Sequence, residues 1–389
     1  MSKKKICVYA ICKNEINRID KWVNAIKDEA DDIVVLDTGS TDGSYEKLQS
    51  YWPLVKSEKY DYFSKLGYFR FDKARNDSLK LVPFDADICV VIDLDQIPRP
   101  GWGDIIRSHF EEGYSEVMGD IIDHSSNGEE LNKWRSRNVH PNSPFWVWDK
   151  IIHEGIEFYG KPEDNKVIYD SNFIIDHYPE ESKDRSLYKK LLEYACETYP
   201  DNPYYGIYLG IELSRRYSKE EAAKAFQRCI NECKFTDKDT DLLYQCYINL
   251  AAMYVSLGKN KEAIKTVQDI NDISDFKSRR SYKILADAYE ALGEYDNAIN
   301  ALKSALEEVQ SYSNDWRDDD DLFNGYIEDR LSLFYYYKKN NPIESIKYCA
   351  LALEKDPNNS RLVGNMEFYY SSLRDSVYQN KKQSNKKGE

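Results

Sequence analysis

Two carboxylates one residue apart, Asp93 and Asp95, close the stretch ADICVVIDLDQ at residues 86–96. An Asp-x-Asp pair at the exit of an apolar run could seat a hard divalent cation, Mg²⁺ or Mn²⁺, whose shell ligand phosphate oxygens complete. Taken alone, so short a pair more often caps a helix or solvates a loop, and it is the rest of the first half that favours the cation. The run before it is rich in β-branched residues and has no helical period. It reads as a strand buried on both faces, of the kind found in a parallel sheet covered by helices. In open α/β sheets ligands bind beyond the carboxyl ends of the strands, which is where the two acids fall.

The elements that must position this pair are legible upstream. Residues 6–12 (ICVYAIC) predict a first strand, followed by the polar turn Lys13-Asn14-Glu15. Over residues 17–27, Ile19, Trp22, Val23 and Ile26 recur at helical spacing. Residues 32–37 (DIVVLD) predict a second buried strand, and residues 38–43 (TGSTDG) a turn opening a helix near Ser44. Strand, helix, strand, helix in this order implies right-handed βαβ units, which put the loops after both strands on one rim with Asp93 and Asp95. Gly39 and Gly43 would let a phosphate or ribose approach that helix N-terminus, although Ser40, Thr41 and Asp42 serve as plain caps equally well. A further helix opens at Phe71 and is stopped by Pro83. Arg75 and Asn76 lie in its first turn, and the guanidinium fork of Arg75 suits a phosphate or a surface ion pair.

Composition narrows the class of partner. A chain of 389 residues accommodates two or three domains. The mean hydropathy of −0.71, with no stretch approaching the roughly 18 apolar residues of a membrane span, predicts none. Lys3–Lys5 leads straight into a strand without a signal-peptide h-region, so the cytoplasm is the expected location. Eight cysteines without paired Cys/His clusters read as reduced thiols rather than a structural zinc site. A formal charge of −14 argues against nucleic acid as a partner. Thirty-two tyrosines suit carbohydrate or peptide contact and helix packing seams alike. Only the end, residues 379–389, is basic, and its composition predicts disorder.

From about residue 184 to 378 the pattern is helical. Gly258-Lys-Asn-Lys-Glu-Ala263 returns as Gly293-Glu-Tyr-Asp-Asn-Ala298, an offset of 35, and Ala251/Ala286 and Tyr254/Tyr289 share it. That is close to the roughly 34-residue tetratricopeptide period. Single repeats cannot bury their apolar faces, so three or four must stack, with irregular units as caps. WRDDDD at residues 316–321 reads as a solvated loop. The concave surface of such a stack would hold an acceptor or make a homodimer.

The series ICVYAICKNE, DIVVLDTGSTDGS, FDKARND and VVIDLDQ, in this order and spacing, resembles the family 2 glycosyltransferases of GT-A fold. The layout is most similar to the sublancin S-glycosyltransferase type, and KIIHE (150–154), FIIDH (173–177) and YPDNP (199–203) extend the likeness. It implies a mixed-sheet α/β GT-A domain over 1–180 and all-α tetratricopeptide-like repeats over 184–378. It also implies metal-dependent, inverting transfer of a hexose or N-acetylhexosamine from a nucleotide sugar, with UDP the expected carrier, to a peptide or protein side chain. The same chemistry on a glycan or lipid-linked precursor is the close alternative, and a non-catalytic nucleotide-binding repeat scaffold the distant one.

By the same resemblance Asn14, Glu15, Asp37 and Thr38 surround the nucleotide, with Thr38 standing where many relatives have an acid. Arg75 and Asn76 match the donor-binding ARN. Asp95 ligates Mn²⁺ or Mg²⁺ directly and Asp93 lies nearer the ribose, while Gln96 replaces a common acid or Asn, a harmless change if it faces the acceptor. His177, ending a strand, is the expected late metal ligand, since neutral imidazole binds Mn²⁺. Inversion needs one base to deprotonate the acceptor. Candidates lie at Asp120–Asp123 and in WVWDKIIHE (146–154). There Trp146 and Trp148 offer an aromatic wall, Glu154 is the expected base, Asp149 its reserve, and His153 orients the base or touches the diphosphate.

Overall fold

A computed structural model describes residues 3–62, 69–179, 186–236, 239–273, 277–309 and 320–386. The chain divides into two units, residues 1–191 and 192–389.

The first unit contains strands β1 (Ile6–Cys12), β2 (Asp32–Asp37), β3 (Val55–Lys59), β4 (Ile88–Val91), β5 (Gln96–Pro98), β6 (Glu116–His124), β7 (Glu130–Pro141), β8 (Trp146–Asp149), β9 (Gly155–Phe158) and β10 (Val167–His177). Eight of them form one sheet in the order β3-β2-β1-β4-β7-β6-β10-β5, and β8 and β9 pair as a separate hairpin. Strands β1 to β4 run parallel in this sheet. Strand β7 is antiparallel to both β4 and β6, so β6 and its parallel neighbour β10 regain the direction of β4. The carboxyl ends of β1, β2, β4, β6 and β10 therefore share one rim.

The central strand shows why its sequence is apolar throughout. Ile6, Val8 and Ala10 pack into a core with helices α1 (Ile19–Ile26), α2 (Ser44–Gln49) and, after α3 (Phe71–Leu79), α4 (Trp102–Glu111). Cys7 and Tyr9 point the other way, into a second core with Trp146, Trp148 and Ile156 of the hairpin. Two faces, both covered, leave no position for a polar side chain. The acid-tipped strand is shorter than its apolar run because the chain turns after Ile92, and Gln96 resumes as a strand at the far edge of the sheet.

The pairing of β6 with β10 shifts register between Tyr169 and Ile174. A Cβ at Gly119 would lie 2.4 Å from the Phe173 carbonyl oxygen and ring, so glycine is required for the two strands to meet. Gly119→Ala is expected to destabilise this unit by about 1–3 kcal/mol through overpacking, read as a lower urea midpoint with unchanged slope.

The unit boundary falls within α5 (Ser186–Thr198). Helix pairs follow: α6 (Pro203–Arg216) with α7 (Lys219–Glu232), α8 (Thr240–Ser256) with α9 (Asn260–Ile273), α10 (Arg279–Ala291) with α11 (Tyr295–Glu308), and α12 (Tyr326–Tyr337) with α13 (Pro342–Lys355). A long helix, α14 (Ser360–Lys386), packs on α13. The 35-residue offset is a repeated turn. Gly258 and Gly293 both take φ near +70° (71° and 76°), and the next amide donates back to Tyr254 and Tyr289 respectively, closing each helix. Small residues do bring helices together: at Gly210 a Cβ would lie 2.4 Å from the Phe226 ring.

Residues 379–386 continue helix α14, Lys and Gln being good helix formers that extend a helix already begun. Residues 316–319 of WRDDDD lie outside the described residues, and Asp320 opens a 3₁₀ turn, Asp320–Phe323. No helix among the described residues is long and apolar enough to cross a membrane.

Candidate active site

The loop carrying Asp93 and Asp95 is fixed through its backbone. The Trp22 indole Nε1 donates to the Ile92 carbonyl (3.1 Å) and the Asn138 amide to that of Val91 (2.8 Å). Tyr178 N donates to the Asp95 carbonyl (2.8 Å). Gln96 turns back on the loop, its Oε1 accepting from Asp93 N (3.1 Å) while its own N donates to the Asp93 carbonyl (2.8 Å). Gln96 is thus a buried brace of the loop rather than a group facing outward.

The two acids then diverge. Asp93 takes both ends of the Arg75 fork, Nη1 at 2.5 Å and Nη2 at 2.7 Å. Arg75 Nε donates to Glu154 Oε1 (3.1 Å), and the guanidinium lies 5.0 Å from the centre of the Trp148 ring. Arg75 is 9% exposed and Glu154 13% by side chain. Burial pushes the Glu154 carboxyl above its ordinary range, with Arg75 opposing. Asp93 and Glu154 keep Arg75 charged against its burial. In this state the fork expected to meet phosphates is held between two carboxylates.

Asp95 instead faces His177, whose Nε2 is 3.5 Å from Asp95 Oδ2, with Arg18 Nη1 also at 3.5 Å. The other imidazole nitrogen, Nδ1, donates to Asp123 Oδ1 (2.6 Å), and register explains why, since His177 sits directly opposite Asp123. Burial disfavours a charged His177, but Asp95 and Asp123 outweigh it and hold its pKa above the ordinary histidine value. An imidazole oriented by a second carboxylate is how metal-ligating histidines are commonly held. Asp95 and His177 are the two side chains here that could hold a divalent cation. Among the described residues no group of three or more His, Cys, Asp or Glu is placed to hold an ion. Asp123, a candidate base by sequence, here positions His177.

At the end of β2, Asp37 is fully buried. Its Oδ1 accepts from Gly39 N (3.0 Å) and Ser40 N (2.9 Å), while Oδ2 has no hydrogen-bond partner among the described residues. A buried carboxylate oxygen left unpaired costs free energy, and an N–H of a ligand would satisfy it. Neighbouring residues build the loops around it. Thr38 Oγ1 donates to the Cys12 carbonyl (3.0 Å), and Asn14, at φ 57°, ties Ser40 and Thr41 through its N–H and Oδ1. Glu15 Oε2 lies 3.3 Å from Arg18 Nε, linking this loop to Asp95.

Several expected contacts lie elsewhere. Asn76 bonds both backbone groups of Trp148 (2.8 and 3.0 Å), so its amide anchors the hairpin rather than facing a donor. Trp146 and Trp148 are 2% and 8% exposed, which removes them as an open aromatic wall. Trp146 stacks on His140. Trp148 Nε1 donates to Tyr9 OH (2.9 Å), which lies 2.8 Å from His140 Nε2, with burial holding His140 neutral at a pKa of about 4. Strand alternation turns Asp149 to the opposite, exposed face, where it accepts from Tyr159 OH (3.1 Å). Asp120 is buried against Tyr169 and Lys133. His153 is exposed at φ 53°, edge-on to Tyr188. Sequence reasoning misses Arg18, whose only signal is a basic residue opening an amphipathic helix beside the rim.

The description "Glycosyl transferase family 2" matches residues 7–178, and a tetratricopeptide repeat description matches residues 281–318. Solved structures similar to the chain include TTC0263, a tetratricopeptide repeat protein of Thermus thermophilus, at 19% identity, covering 48% of this chain and 89% of that one with a TM-score of 0.33. MamA of Desulfovibrio magneticus RS-1 is 13% identical, covering 44% and 85% (TM-score 0.35). A tetratricopeptide repeat protein of Parabacteroides merdae ATCC 43184 is 14% identical, covering 49% and 68% (TM-score 0.37). No curated protein matches the chain.

Proposed function

With a glycosyl transferase family 2 domain over residues 7–178 and tetratricopeptide repeats after it as the starting point, we propose that the chain moves a hexose or N-acetylhexosamine from a UDP-sugar to a peptide or protein side chain, with inversion. One observation carries the reading. Asp37 Oδ2, without a hydrogen-bond partner among the described residues, the Asp93–Arg75–Glu154 cluster and the Asp95–His177 pair all belong to the rim where β2, β4 and β10 end.

Asp37 Oδ2 accepts the imide N–H of the base. Asp95 and His177 would hold Mn²⁺ or Mg²⁺, which supplies neutralisation of the charge growing on the leaving diphosphate. Arg18, between Glu15 and Asp95, adds fixed positive charge at the same place. Glu154 takes the acceptor proton. A carboxylate whose pKa is raised by burial is a stronger base than one in water, and Arg75 keeps it oriented. Glu154→Gln keeps the size and a hydrogen-bonding end but cannot take a proton. Turnover with acceptor is expected to fall about 10²–10⁴-fold while UDP affinity by calorimetry stays within about twofold. Unchanged turnover would remove Glu154 as the base.

A further inference from the structure

Strand β7 carries a large apolar ring to the same rim. Trp134 lies directly opposite Ile121 of β6, and the paired residues Asp123 and His177 follow on that face of the sheet. The indole meets the His177 imidazole edge-on, with ring centres 5.9 Å apart and planes at 90°. Trp134 is 37% exposed, whereas Trp22, Trp102, Trp146 and Trp148 are all buried.

The ring is held from behind. On the opposite face of β7, Lys133 Nζ reaches Asp120 Oδ2 (2.7 Å) and the Arg135 guanidinium lies 4.2 Å from the centre of the Tyr169 ring. A side chain carried on a strand fixed in this way is a more precise support than one carried on a loop.

Strand order says which part of a ligand this ring would meet. In the sheet, β2 with Asp37 lies on one side of β4, and β7 with Trp134 lies on the other. A nucleoside at Asp37 is therefore away from Trp134, and its diphosphate belongs between them, at Asp95 and His177. The sugar is bonded to that diphosphate, so it is the group that comes next along the rim, before any acceptor. The flat face of an indole packs against the C–H groups of a hexose ring while its N–H remains a polar handle.

We infer that Trp134 is the aromatic wall of the sugar subsite: it stacks on the apolar face of the hexose or N-acetylhexosamine and holds it beside the Asp95–His177 pair. The part that the sequence suggests for Trp146 and Trp148 falls to Trp134. This inference rests on the nucleotide-sugar reading above and names the residue that would position the sugar.

Calorimetry of the full chain with Mn²⁺, titrated with UDP and separately with UDP-glucose and UDP-N-acetylglucosamine, tests it, with thermal melting as the fold control. Trp134→Ala is expected to bind at least one of the two UDP-sugars about tenfold more weakly than the wild type, while its affinity for UDP stays within about twofold. Trp134→Phe keeps a ring face and should recover most of that loss. Trp134→Leu keeps apolar bulk without a ring face and should not. If Trp134 served only to support His177, UDP and UDP-sugar would weaken together in Trp134→Ala, and that result would overturn the inference. Affinity for both UDP-sugars unchanged in Trp134→Ala, or Trp134→Leu as tight as Trp134→Phe, would overturn it as well, with the nucleotide-sugar reading left standing. A wild type that binds neither UDP nor either UDP-sugar would overturn that reading and this inference with it.

Discussion

Asp95→Asn is expected to lower sugar transfer by about 10³-fold or more while the protein stays folded. The substitution keeps the shape but removes the charge that faces His177 Nε2 and Arg18 Nη1. A cation bound between Asp95 and His177 would lose an anionic ligand, and neutralising the charge on a leaving diphosphate is a major part of what lowers the barrier to this kind of transfer. The fold control is favourable, because the Asp95 backbone carbonyl, not its carboxylate, holds Tyr178. Steady-state UDP release with saturating donor checks it. Loss confined to kcat, with donor affinity changed far less, is the pattern for a group acting on the developing charge.

Arg75→Leu is expected to cost about 3–5 kcal/mol of stability at neutral pH, because it leaves two largely buried carboxylates facing each other without their shared cation. Asp93 loses both ends of the fork and Glu154 its Nε donor. The loss should shrink in acid. Glu154 already has a folded-state pKa above its unfolded one, so its contribution is fully present below the unfolded pKa and declines as pH rises through the folded pKa. Removing Arg75 takes away the group opposing that upward shift, so the decline becomes steeper. Urea denaturation at about pH 5 and about pH 8 should therefore show a larger gap between variant and wild type at the higher pH. Equal gaps would mean that Glu154 is not the group left uncompensated.

The frame of the site is readable in the sequence because that frame is local. Strands β1 and β2 form at the expected residues, 6–12 and 32–37, since continuous apolar runs have no other way to be covered. What sequence cannot supply is what strand pairing decides. His177 and Asp123 lie 54 residues apart and meet only because β10 pairs with β6 at that register, through the close approach Gly119 permits. Nor does a run such as WVWDKIIHE reveal which of its residues face inward. The two-residue alternation of β8 buries Trp146 and Trp148 and turns Asp149 out, whereas the turn after Ile152 brings Glu154 to Arg75. The amide of Asn76 reads as a ligand group in the sequence, but strand β8 running beside α3 supplies it with backbone partners first.

One measurement bears most directly on the claim that this rim opens a sugar–diphosphate bond. Purified chain is incubated with UDP-glucose or UDP-N-acetylglucosamine and Mn²⁺, without acceptor, and UDP is followed by phosphorus NMR. Slow UDP release that falls to background in Asp95→Asn and in His177→Ala is the result expected. Release that persists undiminished in both variants, or none from the wild type with either donor, would contradict the account.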